Sequence, residues 1–436
     1  MPLTINTDRI LRELHHLARI TDCPPTQDKS LPEPTQAVTR IVFTPRDLEA
    51  RAWLKSLADA AGFATRVDAI GNTFFRWVGS HPELGAVGTG SHTDAIPHSG
   101  MYDGTVGVLG GLEAMRALKE SGFQPKRSIE MLMFTSEEPT RFGIGCIGSR
   151  LLGGVIDPIT ADQLPDRLPE TEPDAPTGLT LAQVRTQAGF TGALSNIKLS
   201  SDYYHAWVEL HIEQGPLLER EGIQLGIVTN IAAPAAYRYT VEGFGGHAGA
   251  LLMPDRRDAL CGAAELILAV EQFTLEANAK SNGVDSVATV GMVVVHPGAV
   301  NSVPSRVLVT LDIRDTDVAR RDHTMSQLRA RIKEIEGQRR LKITEETTNA
   351  DVPAISSEHI VSTLEDICRT EKISYKKMVS RAYHDTSFMA RVAPVAMLFI
   401  PCRNGVSHKP DEYSSPEAIA QGTQVLALAL ASLSAE

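Results

Sequence analysis

Apolar and polar positions in the first third of the chain alternate between helix-like and strand-like spacing. The opening stretch MPLTINTDRILRELHHLARI has the pattern of an amphipathic helix. Farther on, LGAVGTGSHTD predicts a strand that runs into a loop, GTVGVLGGLEAMRALKES predicts a tightly packed helix, and SIEMLMFTSEE predicts a buried strand that ends at two acids. This order favours an α/β fold with a mainly parallel sheet.

The middle of the chain follows a different order. Strand-like AYRYTVEGFGG, SVATVGMVVV, RVLVTLDIR and LKITEETT are interleaved with two helical segments, PDRRDALCGAAELILAVEQF and VARRDHTMSQLRARIKEIEGQ. The resulting β-α-β-β-α-β order predicts a ferredoxin-like α+β domain at residues 226–349. It would be inserted into an α/β domain formed by residues 1–225 and 350–436. Residues 157–180, rich in Pro, Asp, Glu and Thr, predict a surface excursion.

Composition and charge narrow the class of protein. A chain of 436 residues has room for two domains. Its net charge of -11 argues against a nucleic-acid binder. The five cysteines form no CxxC pair, so neither a disulfide framework nor a thiolate zinc site is indicated. We found no signal-peptide core and no run of about 20 apolar residues, so we expect no membrane span and a cytoplasmic location.

Metal-ligand residue types are concentrated in short loop-like stretches. His92 and Asp103 lie in GSHTDAIPHSGMYDG, and the adjacent acids Glu137 and Glu138 lie in FTSEEPTRFG. Two more imidazoles occur in ELHIEQGP and GVSHKPDE. The predicted ligands are His92, Asp103, Glu138, His211 and His408. Such a set is sufficient for two divalent ions that share one carboxylate, and it leaves Glu137 free.

The two adjacent acids are predicted to have different roles. A solvated pair is the ordinary interpretation of two such residues, but Glu137 and Glu138 follow the apolar strand MLMFTS. Because neighbouring carboxylates repel, a metal on Glu138 would relieve that repulsion and leave Glu137 as a general base. Imidazole and carboxylate donors without thiolate suit two ions of Mn, Zn, Co or Ni, and we expect manganese.

The inserted domain carries three further candidates. His247 lies in the Gly-rich turn GFGGHAGA, Asn301 lies in the loop HPGAVNSVPS, and Arg314 lies near a strand end in LDIRDTD. Arg314 either pairs with its neighbours Asp312 and Asp315 or binds a substrate carboxylate. In the second case His247 and Asn301 would stabilise the developing oxyanion.

Taken together, these segments resemble the di-metal aminoacylase and carboxypeptidase superfamily, from GNTFFRW to the last helix. Within it they are similar to the branch that hydrolyses carbamoyl and ureido groups. The resemblance implies one metal on His92, Asp103 and His211 and another on Asp103, Glu138 and His408. It also implies that Glu137 is the base and that His247, which we count as catalytic, acts with Asn301 and Arg314 from a lid domain. In that branch the lid forms a homodimer, and its His reaches the neighbouring subunit's site.

Two departures from the branch bear on the substrate. The chain has HAGALLMP where carbamoylases tend to have HAGTTPM, and RAYHD where many members have GAGHD. Tyr383, beside His384, should narrow the pocket, and we expect both residues to bind substrate. The strings SRAYHDTSFMARVAP, FIPCRNGVSHKPDEYSSPE and FTSEEPTRFGIGCIGSRLL look most like ureidoglycolate amidohydrolases.

The expected reaction is therefore hydrolysis of (S)-ureidoglycolate to glyoxylate, ammonia and carbon dioxide in purine (allantoin) catabolism. The alternative within the class is an allantoate or N-carbamoyl-L-amino acid amidohydrolase. An alternative from another class is an inactive relative that only binds a ureido or amino acid ligand. The spare acid Glu137 speaks against that second alternative, because a binding protein needs no base.

Overall fold

The computed structural model describes residues 3–23, 36–167, 178–281 and 286–436. The chain forms two compact units. The first comprises Met1–Thr229, Ile355–Met378 and His384–Glu436, and the second comprises Asn230–Ala354 and Val379–Tyr383. The main bounds of the second unit, Asn230 and Ala354, lie within about five residues of the expected 226 and 349. The sequence pattern gave no sign that residues 379–383 belong with it.

The helices and strands are numbered here in chain order. The helices are α1 Thr7–Arg19, α2 Pro45–Ala60, α3 Thr105–Glu120, α4 Ile147–Leu152, α5 Pro158–Asp162, α6 Leu181–Gln187, α7 Leu217–Glu221, α8 Ala259–Ser281, α9 Val318–Arg339, α10 Glu358–Thr370, α11 Thr386–Met389 and α12 Pro416–Ala435. The strands are β1 Val38–Arg40, β2 Ala64–Val67, β3 Thr73–Trp77, β4 Ala86–Ser91, β5 Ala95–Ser99, β6 Ile129–Met133, β7 Tyr204–Ile212, β8 Leu225–Ile231, β9 Ala233–Glu242, β10 Gly246–His247, β11 Val287–His296, β12 Ser302–Val303, β13 Arg306–Asp315, β14 Lys342–Ala350, β15 Ala354–Ile355, β16 Tyr375–Ser380 and β17 Val395–Ile400.

A nine-stranded sheet organises the first unit. Its order is β15-β8-β17-β7-β4-β6-β3-β2, with β16 beside β8. The central strands β17, β7, β4 and β6 are mutually parallel. The neighbouring pairs β17–β8, β6–β3 and β3–β2 are antiparallel. The prediction of a mainly parallel sheet therefore holds only for the centre, and the whole sheet is mixed.

Both faces of this sheet are covered, so β4, β6 and β17 are buried at every position rather than at alternate ones. Met131 and Met133 of β6 pack with α1, α2, α3, α10 and α12 on one face. Leu132 and the following Phe134 belong to a second core with α4, α5 and α6 on the other face. Burial on two faces explains why every residue of β6, including Glu130, is buried, and it makes this unit a three-layer α/β structure.

The second unit has its own sheet and core. Four strands in the order β11-β13-β9-β14 are antiparallel throughout, and helices α8 and α9 supply the other half of the apolar core. The strands alternate buried and partly exposed residues, as in β13, because only one face is covered. Helix α8 begins at Ala259. Pro254, the first residue of the helical segment expected from the sequence, lies instead in a short 3-10 helix at Met253–Asp255.

Among the described residues, α12 alone has the length and apolar composition that would allow a helix to cross a membrane. In the structure, Ile419, Val425 and Leu430 of α12 are fully buried in the core of the first unit. This packing is typical of a core helix. The excursion predicted at 157–180 contains the short helix α5, and its residues 168–177 lie outside the described part of the chain.

Candidate metal centre

The parallel centre of the sheet places the predicted ligands together. His92 directly follows β4, Glu137 and Glu138 follow β6, His211 lies at the end of β7, and His408 follows β17. Because parallel strands end at the same sheet edge, these residues converge there. The structure thus supplies the reason why residues more than 300 positions apart meet.

One group of possible metal-donor side chains, called a donor group below, lies around Oδ1 of Asp103. The Nε2 atom of His211 lies 3.1 Å from Asp103 Oδ1, and Nε2 of His92 lies 3.7 Å from the same oxygen. All three side chains are buried. Within the described residues, this is one of the groups whose ligand atoms lie close enough to hold a metal ion.

A second donor group uses the other oxygen of the same carboxylate. His408 Nε2 lies 3.1 Å from Asp103 Oδ2 and 3.5 Å from Glu138 Oε1. His408 is the exposed member, with 47% of its side chain accessible. Asp103 therefore belongs to both groups, one oxygen to each, as a bridging ligand would.

The imidazole tautomers favour ligation. His92 Nδ1 lies 3.0 Å from the carbonyl oxygen of Asp94, and His211 Nδ1 lies 2.9 Å from that of Ile212, so both Nδ1 atoms act as donors. The Nε2 lone pair then faces the carboxylates, and for His211 it accepts the N–H of Gly104 at 3.2 Å. Lone pairs that face carboxylate oxygens at these distances require a proton or a cation between them.

Burial shifts the pKa values of the acids in the candidate metal centre. Loss of water raises the pKa of Glu137 well above its usual range; His92 opposes that shift and Glu138 adds to it. Burial, followed by repulsion from Asp103, raises the pKa of Glu138 to about 7. Burial also acts to raise the pKa of Asp103, but three histidines outweigh it and hold this pKa well below its usual range. A cation would compensate these crowded charges.

The backbone around the centre is held in unusual conformations. Gly104 has φ +67°, and a Cβ there would meet the His92 ring at about 2.5 Å, so only glycine allows this approach. Ser136, Gln214 and His408 have positive φ values of 59°, 53° and 59° without being glycine. Such strain collects at functional sites, where the surrounding structure enforces it.

Two supporting acids were missed by sequence reasoning. Asp94 accepts the backbone N–H groups of Glu137 at 3.3 Å and Glu138 at 3.0 Å, and thereby holds the loop of adjacent acids. Glu412 accepts the backbone N–H of Asp103 at 3.0 Å. Each acid lies two or four residues after a ligand histidine, and that spacing was the only available signal.

Two of the predicted substrate residues in the second unit are neighbours. His247 pairs with Ser302 across strands β10 and β12, and the N–H of Ala248 donates to the carbonyl of Asn301 at 2.8 Å. Arg314 is near the other end of β13, where it pairs across the sheet with Pro234. Its guanidinium donates to both carboxylate oxygens of Asp312, at 2.9 and 3.1 Å. The acid-paired alternative for Arg314 therefore holds for Asp312, whereas Asp315 pairs with Arg320.

Tyr383 and His384 fall in different units. The Tyr383 hydroxyl donates to Asp351 Oδ2 at 3.3 Å, within the second unit. His384 is buried in the first unit, with its ring 4.6 Å from that of His211. Together with Glu209 and His211 it forms a further group of clustered donors. Because the His211 nitrogens already face Asp103 and Ile212, this group belongs to the same centre.

Comparison with known proteins identifies the class. Residues 88–432 match the model of Peptidase family M20/M25/M40, so the chain belongs to that family. Enzymes of this family typically depend on two metal ions, and the chain carries two donor groups that share Asp103. The chain is thus a hydrolase, as the motifs predicted.

Particular relatives narrow the class further. The ureidoglycolate hydrolases of Oryza sativa subsp. japonica and Arabidopsis thaliana are each 48% identical over 437 residues, covering 99% of this chain and 86% and 87% of theirs. The crystal structure of AtUAH in complex with glyoxylate matches with a TM-score of 0.85 and 45% identity, covering 100% of this chain and 99% of that one. These matches confirm the resemblance inferred from the motifs.

Proposed function

We propose that this protein hydrolyses (S)-ureidoglycolate to glyoxylate, ammonia and carbon dioxide in purine (allantoin) catabolism. The observation that carries the proposal is 48% identity, over 99% of the chain, to two ureidoglycolate hydrolases. AtUAH has also been solved in complex with (S)-hydroxyglycine. That compound is what remains of ureidoglycolate once its carbamoyl group has been removed, and it decomposes to glyoxylate and ammonia.

The donor geometry supports a pair of divalent ions, with His92, Asp103 and His211 at one and Asp103, Glu138 and His408 at the other. Two such ions would activate a water molecule and polarise the ureido carbonyl. Manganese is our choice, because imidazole and carboxylate donors suit it and neither group contains a thiolate.

Glu137 is the proposed general base. It is buried beside the ligands, with Oε2 at 3.7 Å from His92 Nε2, and its carboxylate belongs to neither donor group. It would take a proton from the attacking water and pass it to the nitrogen that leaves the ureido carbon.

The remaining predicted residues would bind the substrate. Arg314 would bind its carboxylate in a bidentate manner, in competition with Asp312. His247 and Asn301 would stabilise the oxyanion. Tyr383 and His384 would bound the pocket and limit it to a small ureido acid.

We also propose that the second unit is a ferredoxin-like lid and dimerisation domain. Strand β11 lies at the edge of its sheet, and its Val293 and Val294 are 40% and 51% exposed. On α8, Leu268 and Leu275 are 64% and 63% exposed. An exposed apolar edge strand beside an exposed apolar helix face is a surface that a second copy of the chain would cover.

The positions of the substrate residues support the same dimer. Arg306 and Arg314 are eight residues apart on β13, about 26 Å at the rise of a strand. His247 and Asn301 lie beyond the Arg306 end, so one lid cannot bring all three side chains to a molecule as small as ureidoglycolate. If β11 paired antiparallel with its copy, the His296 end of one lid would lie beside the partner's Val287 end, which neighbours Arg314. His247 and Asn301 would then serve the partner's site.

Location in the cytoplasm is part of the proposal. All five cysteines are unpaired, including the exposed Cys261. Free thiols are typical of a reducing compartment.

Ammonia release from ureidoglycolate, allantoate and N-carbamoyl-L-amino acids tests the proposal, with chelator-stripped and manganese-reloaded enzyme. We expect turnover of ureidoglycolate that stripping abolishes and manganese restores. Faster, metal-dependent turnover of another substrate would retain the chemistry and reject the substrate. Retention of full activity after stripping would reject the metal-dependent mechanism.

A further inference from the structure

Glu412 is a buried acid that joins two ligand loops. Its Oε1 accepts the backbone N–H groups of Tyr102 at 2.8 Å and Asp103 at 3.0 Å. Its Oε2 lies 2.8 Å from the hydroxyl of Ser407, which directly precedes the ligand His408. A Cβ on Gly100 would come within 2.4 Å of the Glu412 carboxylate, so the glycine permits this approach. The carboxylate therefore contacts both the loop of Asp103 and the loop of His408.

The hydroxyl of Ser407 has a choice of acceptors. Its oxygen lies 2.8 Å from Glu412 Oε2 and 3.1 Å from Asp103 Oδ2, yet it has only one proton to donate. Gln214 Nε2 already donates to Asp103 Oδ2 at 2.7 Å and lies 3.2 Å from the Ser407 oxygen. A carboxylate oxygen has two lone pairs. If Ser407 also donated to Asp103 Oδ2, no lone pair would remain on that oxygen for a cation.

We propose that Glu412 is a positioning residue that draws the Ser407 proton to itself and so keeps a lone pair of Asp103 Oδ2 available to the ion held by Asp103, Glu138 and His408. This inference rests on the metal ligands assigned in the proposed function. Glu412 acts through Ser407 and through the backbone of Asp103. It selectively supports one of the two ion positions.

The variant Glu412→Gln should change the acceptor of the Ser407 hydroxyl from residue 412 to Asp103. Its amide oxygen can still accept the N–H groups of Tyr102 and Asp103, which leaves the NH₂ group facing Ser407. Ser407 must then accept from Gln at 412 and donate to Asp103 Oδ2. Because removal of such an outer contact weakens metal binding about 10–100-fold, we expect one Mn²⁺ per chain to bind that much more weakly in E412Q. The other Mn²⁺ should bind normally.

Mn²⁺ titration of the full-length chain, followed by electron paramagnetic resonance of the free ion, measures both affinities. The variant His408→Ala identifies the affected position, because it should weaken the same ion. The double variant E412Q/S407A lacks the redirected proton and should recover most of the lost affinity. S407A alone should bind two ions as the unmodified chain does.

Asp68→Asn is a matched control for damage to the fold. Asp68 also uses one oxygen to accept two backbone N–H groups, from Ile70 and Asn72, and the other oxygen to accept a side-chain donor, Asn72 Nδ2. D68N should lower thermal stability and leave both Mn²⁺ affinities unchanged.

If E412Q bound two Mn²⁺ ions with unchanged affinities, this inference would be overturned, whereas the ligand assignment in the proposed function would stand. An equal loss of Mn²⁺ affinity in E412Q and E412Q/S407A would also overturn the inference, because the Ser407 hydroxyl would then have no part in the effect. Failure of the unmodified chain to bind two Mn²⁺ ions would instead reject the ligand assignment in the proposed function, and this inference with it.

Discussion

The candidate metal centre of the first unit and the proposed substrate residues of the second unit differ in how far one chain completes them. The predicted metal ligands are gathered at one sheet edge, and His92, Asp103 and His211 are buried. By contrast, His247 lies on the separate two-stranded sheet β10–β12, whereas Arg314 lies near the Asp315 end of β13 and is engaged with Asp312. The central strands of a buried parallel sheet assemble ligands from distant segments. An antiparallel sheet with one open face instead presents residues along its length.

The largest expected effect concerns the candidate metal centre of the first unit. Glu137→Gln should lower kcat about 10²–10⁴-fold, because it removes the proposed base and keeps the size of the side chain. Two Mn²⁺ ions should still bind, since Glu137 is in neither donor group. Ammonia release and bound manganese are measured together. Glu130→Gln, a buried acid that accepts the Tyr204 hydroxyl, is the control. Full turnover by E137Q would contradict the assignment.

The proposed substrate residues of the second unit are tested by mixing two inactive variants. His247→Ala and Arg314→Ala should each lose activity by a factor of about 10² or more, because each removes a contact to developing or fixed charge. Random mixing after subunit exchange should restore about a quarter of the activity, since half of the dimers are mixed and each has one intact site. No recovery, with mixed dimers demonstrated by mass spectrometry, would mean that both residues act within the same chain.

The proposed dimer surface can be broken directly. Val294→Asp places a charge on the exposed edge strand β11, and we expect a monomer with little activity, because burial of an unpaired charge would oppose association. Light scattering coupled to size exclusion reports the mass. Val155→Asp changes a valine of the first unit that is 41% exposed, and it should leave the mass unchanged. A dimeric V294D protein would place the interface elsewhere.

Metal removal should affect stability unequally in the two units. Each ion at about 100 times its dissociation constant contributes about 2.7 kcal/mol, and stripping also leaves Asp103, Glu137 and Glu138 uncompensated. We expect Tm to fall by several degrees in calorimetry. In hydrogen exchange, residues 100–104 should lose protection, and strands β9 and β13 should keep theirs. Equal loss of protection in both units would show that the ions do more than stabilise their own sheet edge.

The smallest effect is expected at Tyr383. Tyr383→Phe removes the hydrogen bond to Asp351, worth about 1 kcal/mol, and should keep the preference for ureidoglycolate. Tyr383→Gly should raise activity on allantoate and N-carbamoyl amino acids relative to ureidoglycolate, because it enlarges the pocket. The ratio of kcat/KM values across these substrates is the measurement. An identical ratio in Y383G and the unmodified enzyme would remove the pocket-size argument.

The metal-centre candidates were accessible to sequence reasoning because their chemistry is local. His92, Glu137 and Glu138 each lie just after an apolar run, and strand ends are where ligand sites form. The supporting groups were not accessible in this way. Asp94 and Glu412 act through backbone N–H groups, and nothing in their side-chain type distinguishes them from surface acids. The hydrogen bond between Tyr383 and Asp351 was not accessible for a different reason, because the two residues are 32 positions apart in the sequence.

The sequence by itself determined the alternation of elements, the identity of the metal-type donors and the family, because apolar periodicity and short motifs are properties of neighbouring residues. Only the tertiary structure decided that the large sheet is mixed, that residues 379–383 join the second unit, and that Asp103 offers one oxygen to each donor group. It also placed His247 and Arg314 on two different sheets, β10–β12 and β11-β13-β9-β14. These features depend on strand order and register, which arise from contacts between segments far apart in the chain.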